Sequence, residues 1–89
     1  MAPSKDDQKI TIVYVINGEE WPTEANLAQP LHASVQHALA TSRNTGRDPS
    51  EWEVRDARGV ALEKGRKVGE LDLTDGVKLF LSLAVGAGG

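Results

Sequence analysis

From Lys9 to Ile16 the chain is an almost unbroken run of Ile, Val, Thr and Tyr that stops at Asn17-Gly18. β-branched and aromatic residues suit a pleated surface, and Asn-Gly tolerates the positive φ that a two-residue hairpin turn requires. The run therefore predicts a strand, and residues 19–27 predict its return. Trp21, Thr23, Ala25 and Leu27 recur at every second position and so share one face of that return strand. Pro22 has no N–H to give to a ladder, which puts the strand at a sheet edge or at a bulge. Two faces of the first strand compete for the core: Ile10, Ile12, Tyr14 and Ile16 against Thr11, Val13 and Val15.

The period then changes from two to 3.6. Leu31, Val35, Ala38 and Leu39 recur at i, i+4, i+7 and i+8, a narrow apolar stripe with His32, Gln36 and Arg43 on the polar side. Pro30 suits a first helical position, where a missing N–H costs nothing. Asn44-Thr45-Gly46 closes the pattern, with Gly46 expected as a left-handed cap. Asp48-Pro49-Ser50 reads as a turn. Trp52 and Val54 alternate with Glu51, Glu53 and Arg55, a short half-exposed strand. After the turn at Ala57-Arg58-Gly59, residues 60–62 are expected to form a brief strand. Gly65, Gly69 and Asp75-Gly76 punctuate an irregular stretch. A final strand, Val77–Leu83, carries Val77, Leu79, Leu81 and Leu83 on one face, with Phe80 and Ser82 on the other.

Strands and one helix that do not repeat as βαβ units define an α+β domain. A single helical stripe needs one sheet face to cover. The economical arrangement is a mixed four- to five-stranded sheet packed on that helix, with the apolar first and last strands adjacent in the middle. This is the β-grasp layout. Residues 1–8 read as a polar, disordered tail without a signal-peptide core, 9–84 as the domain, and 85–89 as a flexible small-residue tail.

Composition narrows the function classes. A chain of 89 residues holds one domain with a modest core and little room for a deep cleft. The net charge is −3 with scattered Lys and Arg, so there is no basic footprint for nucleic acid. The absence of cysteine excludes a thiol nucleophile, a disulfide scaffold and a cysteine zinc site. No apolar run is long enough for a membrane span. The expectation is a cytoplasmic protein, monomeric when free, that is not an enzyme and holds no metal or cofactor.

The sequence finishes Leu-Ser-Leu-Ala-Val-Gly-Ala-Gly-Gly. A diglycine ending arises by chance in roughly 0.5% of chains, so the pair alone is suggestive. Its position directly after a strand that closes the domain adds weight. Glycine lacks Cβ, so such a tail passes through a narrow slot and presents its carboxylate there. Length, element order, the Asn17-Gly18 hairpin and Gly88-Gly89 together resemble ubiquitin-like proteins. Leu62-Glu63-Lys64-Gly65-Arg66-Lys67-Val68 resembles the ubiquitin stretch leucine-glutamate-aspartate-glycine-arginine-threonine-leucine. The chain looks most like the bacterial ubiquitin-like modifiers encoded beside activating enzymes, conjugating enzymes and JAB-type peptidases.

That resemblance implies a mechanism in which this chain is the substrate. An ATP-dependent activating enzyme would adenylate the Gly89 carboxylate, a partner cysteine would take the acyl group as a thioester, and an amine on a protein target would finish the transfer. Gly88 and Gly89 would be the conjugation residues, and Val85, Gly86 and Ala87 the stretch read in the enzyme's channel. The arginines that precede ubiquitin's glycines are absent, so that channel would be apolar or backbone-reading. Where ubiquitin exposes an isoleucine and a valine to receptors, this chain presents Arg55 and Ser82. Phe80 stands as a candidate docking contact or a partly buried residue. The family also suggests an antiphage role. Two other readings share the layout: a sulfur carrier of the ThiS or MoaD type, whose carboxylate becomes a thiocarboxylate, and a non-covalent β-grasp interaction module.

Other conspicuous residues read more simply. His32 and His37 point about 140° apart on a helix and make poor joint ligands. Asp72 and Asp75 fall in a turn-rich loop. Trp21 and Trp52 suit packing. Gly65 and Gly69 lack the Lys-Ser/Thr of a phosphate loop. Lys5, Lys9, Lys64, Lys67 and Lys78 are candidate acceptor amines that the sequence leaves unranked.

Overall fold

The computed structural model describes residues 8–46 and 48–83. Four strands and one α-helix follow in the order β1 (Lys9–Ile16), β2 (Glu19–Asn26), α1 (Leu31–Thr41), β3 (Trp52–Arg55) and β4 (Val77–Leu83). Two 3-10 turns, Pro49–Glu51 and Val68–Leu71, lie before β3 and before β4. The sheet order is β2-β1-β4-β3. β1 runs parallel to β4, while β2 and β3 flank them antiparallel. This is the mixed β-grasp sheet, with β2 at one edge as Pro22 requires.

The competition between the faces of β1 is settled by its partners. Ile12, Tyr14 and Ile16 are buried together with Thr23 and Ala25 of β2, Val54 and Trp52 of β3, and Leu79 and Leu81 of β4. The apolar stripe of α1, Leu31, Val35, Ala38 and Leu39, covers that face. Truncating a side chain such as Leu31 to Ala would cost about 2–5 kcal/mol, because a packed interior closes only partly over the gap. One polar pair belongs to this core. Ser34 Oγ donates to the Leu31 carbonyl at 2.9 Å and receives the Tyr14 hydroxyl at 2.6 Å.

Asn17 and Gly18 take φ of 52° and 83°, the positive pair of the expected hairpin turn. Three local expectations are corrected. Pro30 is the cap residue, with extended backbone at ψ 152°, and the helix starts at Leu31. The helix ends at Thr41 rather than near Gly46. Arg43 occupies the left-handed position at φ 64°, with its N–H bonded to the Ala40 carbonyl and the Asn44 N–H to that of Leu39. This pair of bonds closes the helix by a Schellman motif three residues before any glycine arrives. Residues 60–62 form no named strand. Ala61 makes an isolated bridge to Arg55, and Leu62 N–H bonds the Val54 carbonyl, because the tight turn at Gly59 leaves only that short return along β3.

The segment that follows has its own task. Pro30 supplies no side-chain cap to α1. Instead, Leu31 N–H bonds the Arg66 carbonyl and His32 N–H bonds the Lys64 carbonyl, both at 2.9 Å. The first-turn donors that a helix leaves orphaned are thus satisfied by main chain from residues 64–66. Val68 N–H to Gln29 and Gly69 N–H to Leu27 continue the same seam. Lys64 adds a side-chain tie, donating its ammonium to the carbonyls of Pro49, Ser50 and Trp52.

Candidate functional site

With one sheet face given to the core, the register fixes what the other face presents. Glu20, Val15, Phe80 and Arg55 stand in a row across all four strands. Pro22, Val13 and Lys78 form the adjacent row, and Ser82 faces Glu53 on its other side. Phe80 is 40% exposed, while Val13 and Val15 are half-buried. The face is therefore a shallow apolar ridge of Val13, Val15 and Phe80 lying between charged groups.

Those charges are fixed in pairs. Lys78 Nζ meets Glu20 at 2.8 Å by reaching across β1, and Arg55 meets Glu53 at 3.0 Å. Arg55 also donates to the Gly59 carbonyl at 2.9 Å, which ties it to the turn. That turn is held by Asp56, whose carboxylate accepts from Arg58 N–H at 2.8 Å and Val60 N–H at 3.0 Å. The Val60 N–H in particular holds the Asp56 carboxyl below its ordinary range. A carboxylate that accepts main-chain bonds stays charged and keeps its loop in one shape. The guanidinium of Arg55 thus stands at a set position beside Phe80. Exposed pairs of this kind add little stability, about 0–1 kcal/mol each, but they align charges for a partner.

Of the residues singled out from the sequence, Arg55, Phe80 and Ser82 fall together on this face. Gly88, Gly89, Val85, Gly86 and Ala87 lie outside the described residues, as does the stretch read as an N-terminal tail up to Asp7. Val13, Val15, Glu20, Glu53 and Lys78 complete the face and were not identified from sequence. Their signal was the alternation within β1, ambiguous because both of its faces carry Val or Ile. His32 and His37 are both exposed on α1, and no group of three His, Asp or Glu among the described residues is placed to hold a metal. A shallow groove of about 390 Å³ runs between β2 and α1 over Ala25, Ala33 and Ser34. The small size of these side chains accounts for it. No helix among the described residues is long and apolar enough to cross a membrane.

These features define a ubiquitin-like domain of the β-grasp class. An archaeal ubiquitin from Caldiarchaeum subterraneum superposes with a TM-score of 0.70 at 18% identity, covering 90% of this chain and 99% of that one. The EccD5 ubiquitin-like domain from Mycobacterium xenopi superposes with a TM-score of 0.67 at 17% identity, covering 85% of this chain and 94% of that one. Likeness at such identity concerns the fold. By sequence, the chain belongs to the family described as Protein of Unknown function (DUF2604), whose model matches residues 5–89. The uncharacterized protein y4jI of Sinorhizobium fredii (strain NBRC 101917 / NGR234) is 37% identical over 81 residues. That match takes in 91% of this chain and 62% of the relative, so the chain spans less than two thirds of the relative's length.

Proposed function

We propose that this domain is a ubiquitin-like protein modifier, joined to amines on protein targets through the Gly89 carboxyl. One observation carries the reading. β4 lies in the centre of a ubiquitin-like sheet, parallel to β1, and the chain continues from its last residue, Leu83, into Ala-Val-Gly-Ala-Gly-Gly. In this reading an activating enzyme uses ATP to convert the Gly89 carboxyl to an acyl adenylate with release of pyrophosphate. A cysteine of the enzyme, and then of a conjugating enzyme, takes the acyl group as a thioester. A target amine completes the transfer, and a JAB-type peptidase reverses it or trims a longer precursor to Gly89. The chain itself performs no catalysis; it supplies a thin tail and a body to be gripped. The face around Phe80, Arg55 and Ser82 is the grip, and Val85, Gly86 and Ala87 are the stretch threaded into the enzyme. The chemistry needs nucleoside triphosphate and fits the cytoplasm.

The test is mass spectrometry of the chain ending at Gly89 after incubation with its activating enzyme and ATP. Transfer of the carboxyl to protein amines, abolished when Gly88 and Gly89 are replaced by Leu, supports the modifier. Exchange of one carboxyl oxygen for sulfur would assign a sulfur carrier instead. An unchanged carboxyl, with partner binding retained when Gly89 is deleted, would leave a non-covalent interaction module.

A further inference from the structure

We propose that the Lys67 amine is the acceptor at which a second copy of this chain is attached, so that copies join head to tail in open chains. The inference rests on the modifier reading above and names the partner and the atom that the reading leaves open.

The described residues include Lys9, Lys64, Lys67 and Lys78, and the fold treats them differently. The Lys64 ammonium is committed to the carbonyls of Pro49, Ser50 and Trp52. Releasing it would leave those carbonyls without a charged donor. Lys78 is paired with Glu20 at 2.8 Å in the middle of the outer sheet face, in the row next to Phe80. Lys9 also lies on that face, paired with Glu24 at 3.7 Å. Surface pairing alone protects a lysine weakly. These two, however, are covered by whatever grips the Phe80 face while the tail is being handled. Lys67 is exposed, and its amine has no ion-pair or hydrogen-bond partner among the described residues. Its backbone is held firmly, by the bridge to Pro30 and by the bond from Glu70 N–H to its carbonyl. It is a free amine on a fixed base.

Position explains why a second copy is required. β1 and β4 are parallel, so Leu83 and Ile16 mark one end of the sheet while Lys9, Val77 and Asn26 mark the other. Lys67 is bridged to Pro30, just past the end of β2, and so sits at the end away from Leu83. The eight residues of β1 span about 25 Å at strand rise. The six residues from Ala84 to Gly89 reach at most about 20 Å. A molecule's own carboxyl therefore falls short of its own Lys67 even if the tail doubles straight back. The donor end of one copy and the acceptor end of the next meet without that constraint. Such a heterologous contact does not close on itself, and it propagates as a linear chain.

The bond change is an aminolysis. The Lys67 nitrogen, after losing a proton to water or to a base on the conjugating enzyme, attacks the thioester carbonyl carbon at Gly89 of the incoming copy. The C–N bond forms, the C–S bond breaks, and the enzyme's thiolate leaves. ATP, consumed at the adenylation step, supplies the driving force.

Two measurements test the proposal separately from the modifier reading. In the first, the folded chain is treated with a limiting acetyl N-hydroxysuccinimide ester and labelling is read by peptide mass. Lys67 should be modified faster than Lys9 and Lys78, and Lys64 slowest. In the second, the chain is incubated with its activating and conjugating enzymes and ATP, then digested with trypsin. Lys67 should carry a branch of residues 79–89, and Lys67→Arg should lose copy-to-copy conjugates while keeping conjugates to other proteins. A branch on Met1, Lys5, Lys9, Lys64 or Lys78 that survives Lys67→Arg overturns the proposal and leaves the modifier reading standing. Labelling led by Lys67 with no conjugate of any kind overturns both.

Discussion

The hydroxyl of Tyr14 sits in the core with 0% exposure and a single partner, Ser34. Burial pushes its pKa up from 10.0 to about 12, and the Ser34 bond offsets only part of that shift. The unfolded chain therefore loses this proton first. Between pH 10 and 12 it binds fewer protons than the native state, so stability falls as pH rises, by up to about 1.4 kcal/mol per pH unit. The contribution is complete below pH 10 and gone above 12. Urea unfolding across that window should show the slope, and Tyr14→Phe should flatten it. Ser34→Ala strands the hydroxyl and should cost about 1–3 kcal/mol, more than Tyr14→Phe, which leaves Ser34 bonded to Leu31. Arg43 offers the opposite case. An L-residue in the left-handed region carries a strain of roughly 1–2 kcal/mol. Arg43→Gly should raise the unfolding free energy by about 0.5–1 kcal/mol, the relief being offset in part by glycine's freer unfolded chain.

Among the elements, the seam between α1 and residues 64–69 decides whether the helix is anchored. A Cβ on Gly69 would stand 3.1 Å from the Leu27 carbonyl oxygen, a backbone atom already bonded to the Gly69 N–H. Gly69→Ala should therefore destabilise by about 1–3 kcal/mol, and amide exchange at Leu31 and His32 should accelerate with it. That seam also shows where sequence reading stops. The hairpin, the helical stripe, the edge placement of Pro22 and the central β1–β4 pair were all legible, because each rests on a local period or a single residue's covalent geometry. The helix end was not. Gly46 looked like the better cap on propensity, but the Schellman bonds closed at Arg43 once Leu39 was the last buried member of the stripe. The strand expected at 60–62 failed for a related reason. Apolar residues there meet one short partner, and the chain is then drawn off to cap α1, a demand set by main chain far away in sequence. The candidate face was half legible. Phe80, Ser82 and Arg55 followed from alternation in short strands, whereas Val13 and Val15 needed the sheet itself to say which side of β1 was inward.

For the molecule as a whole, the two sheet faces are separable. The inner one holds the fold and the outer one is free for recognition, so Phe80→Ala should change stability by no more than about 0.5 kcal/mol. The same variant should weaken binding to the activating enzyme about tenfold, the usual cost of truncating an aromatic anchor. Wild-type affinity in the variant would move the grip elsewhere. The strand order has one more consequence. β1 is the first strand to leave the ribosome and β4 the last, yet each is the other's neighbour at the centre of the sheet. Until Val77–Leu83 has emerged, β1 lacks a flank and the core lacks Leu79 and Leu81. Prematurely terminated products are thus left unfolded and exposed to proteases. Folding inspects the message to its far end, and every molecule that survives inspection has been read through Leu83, the residue from which the handle departs.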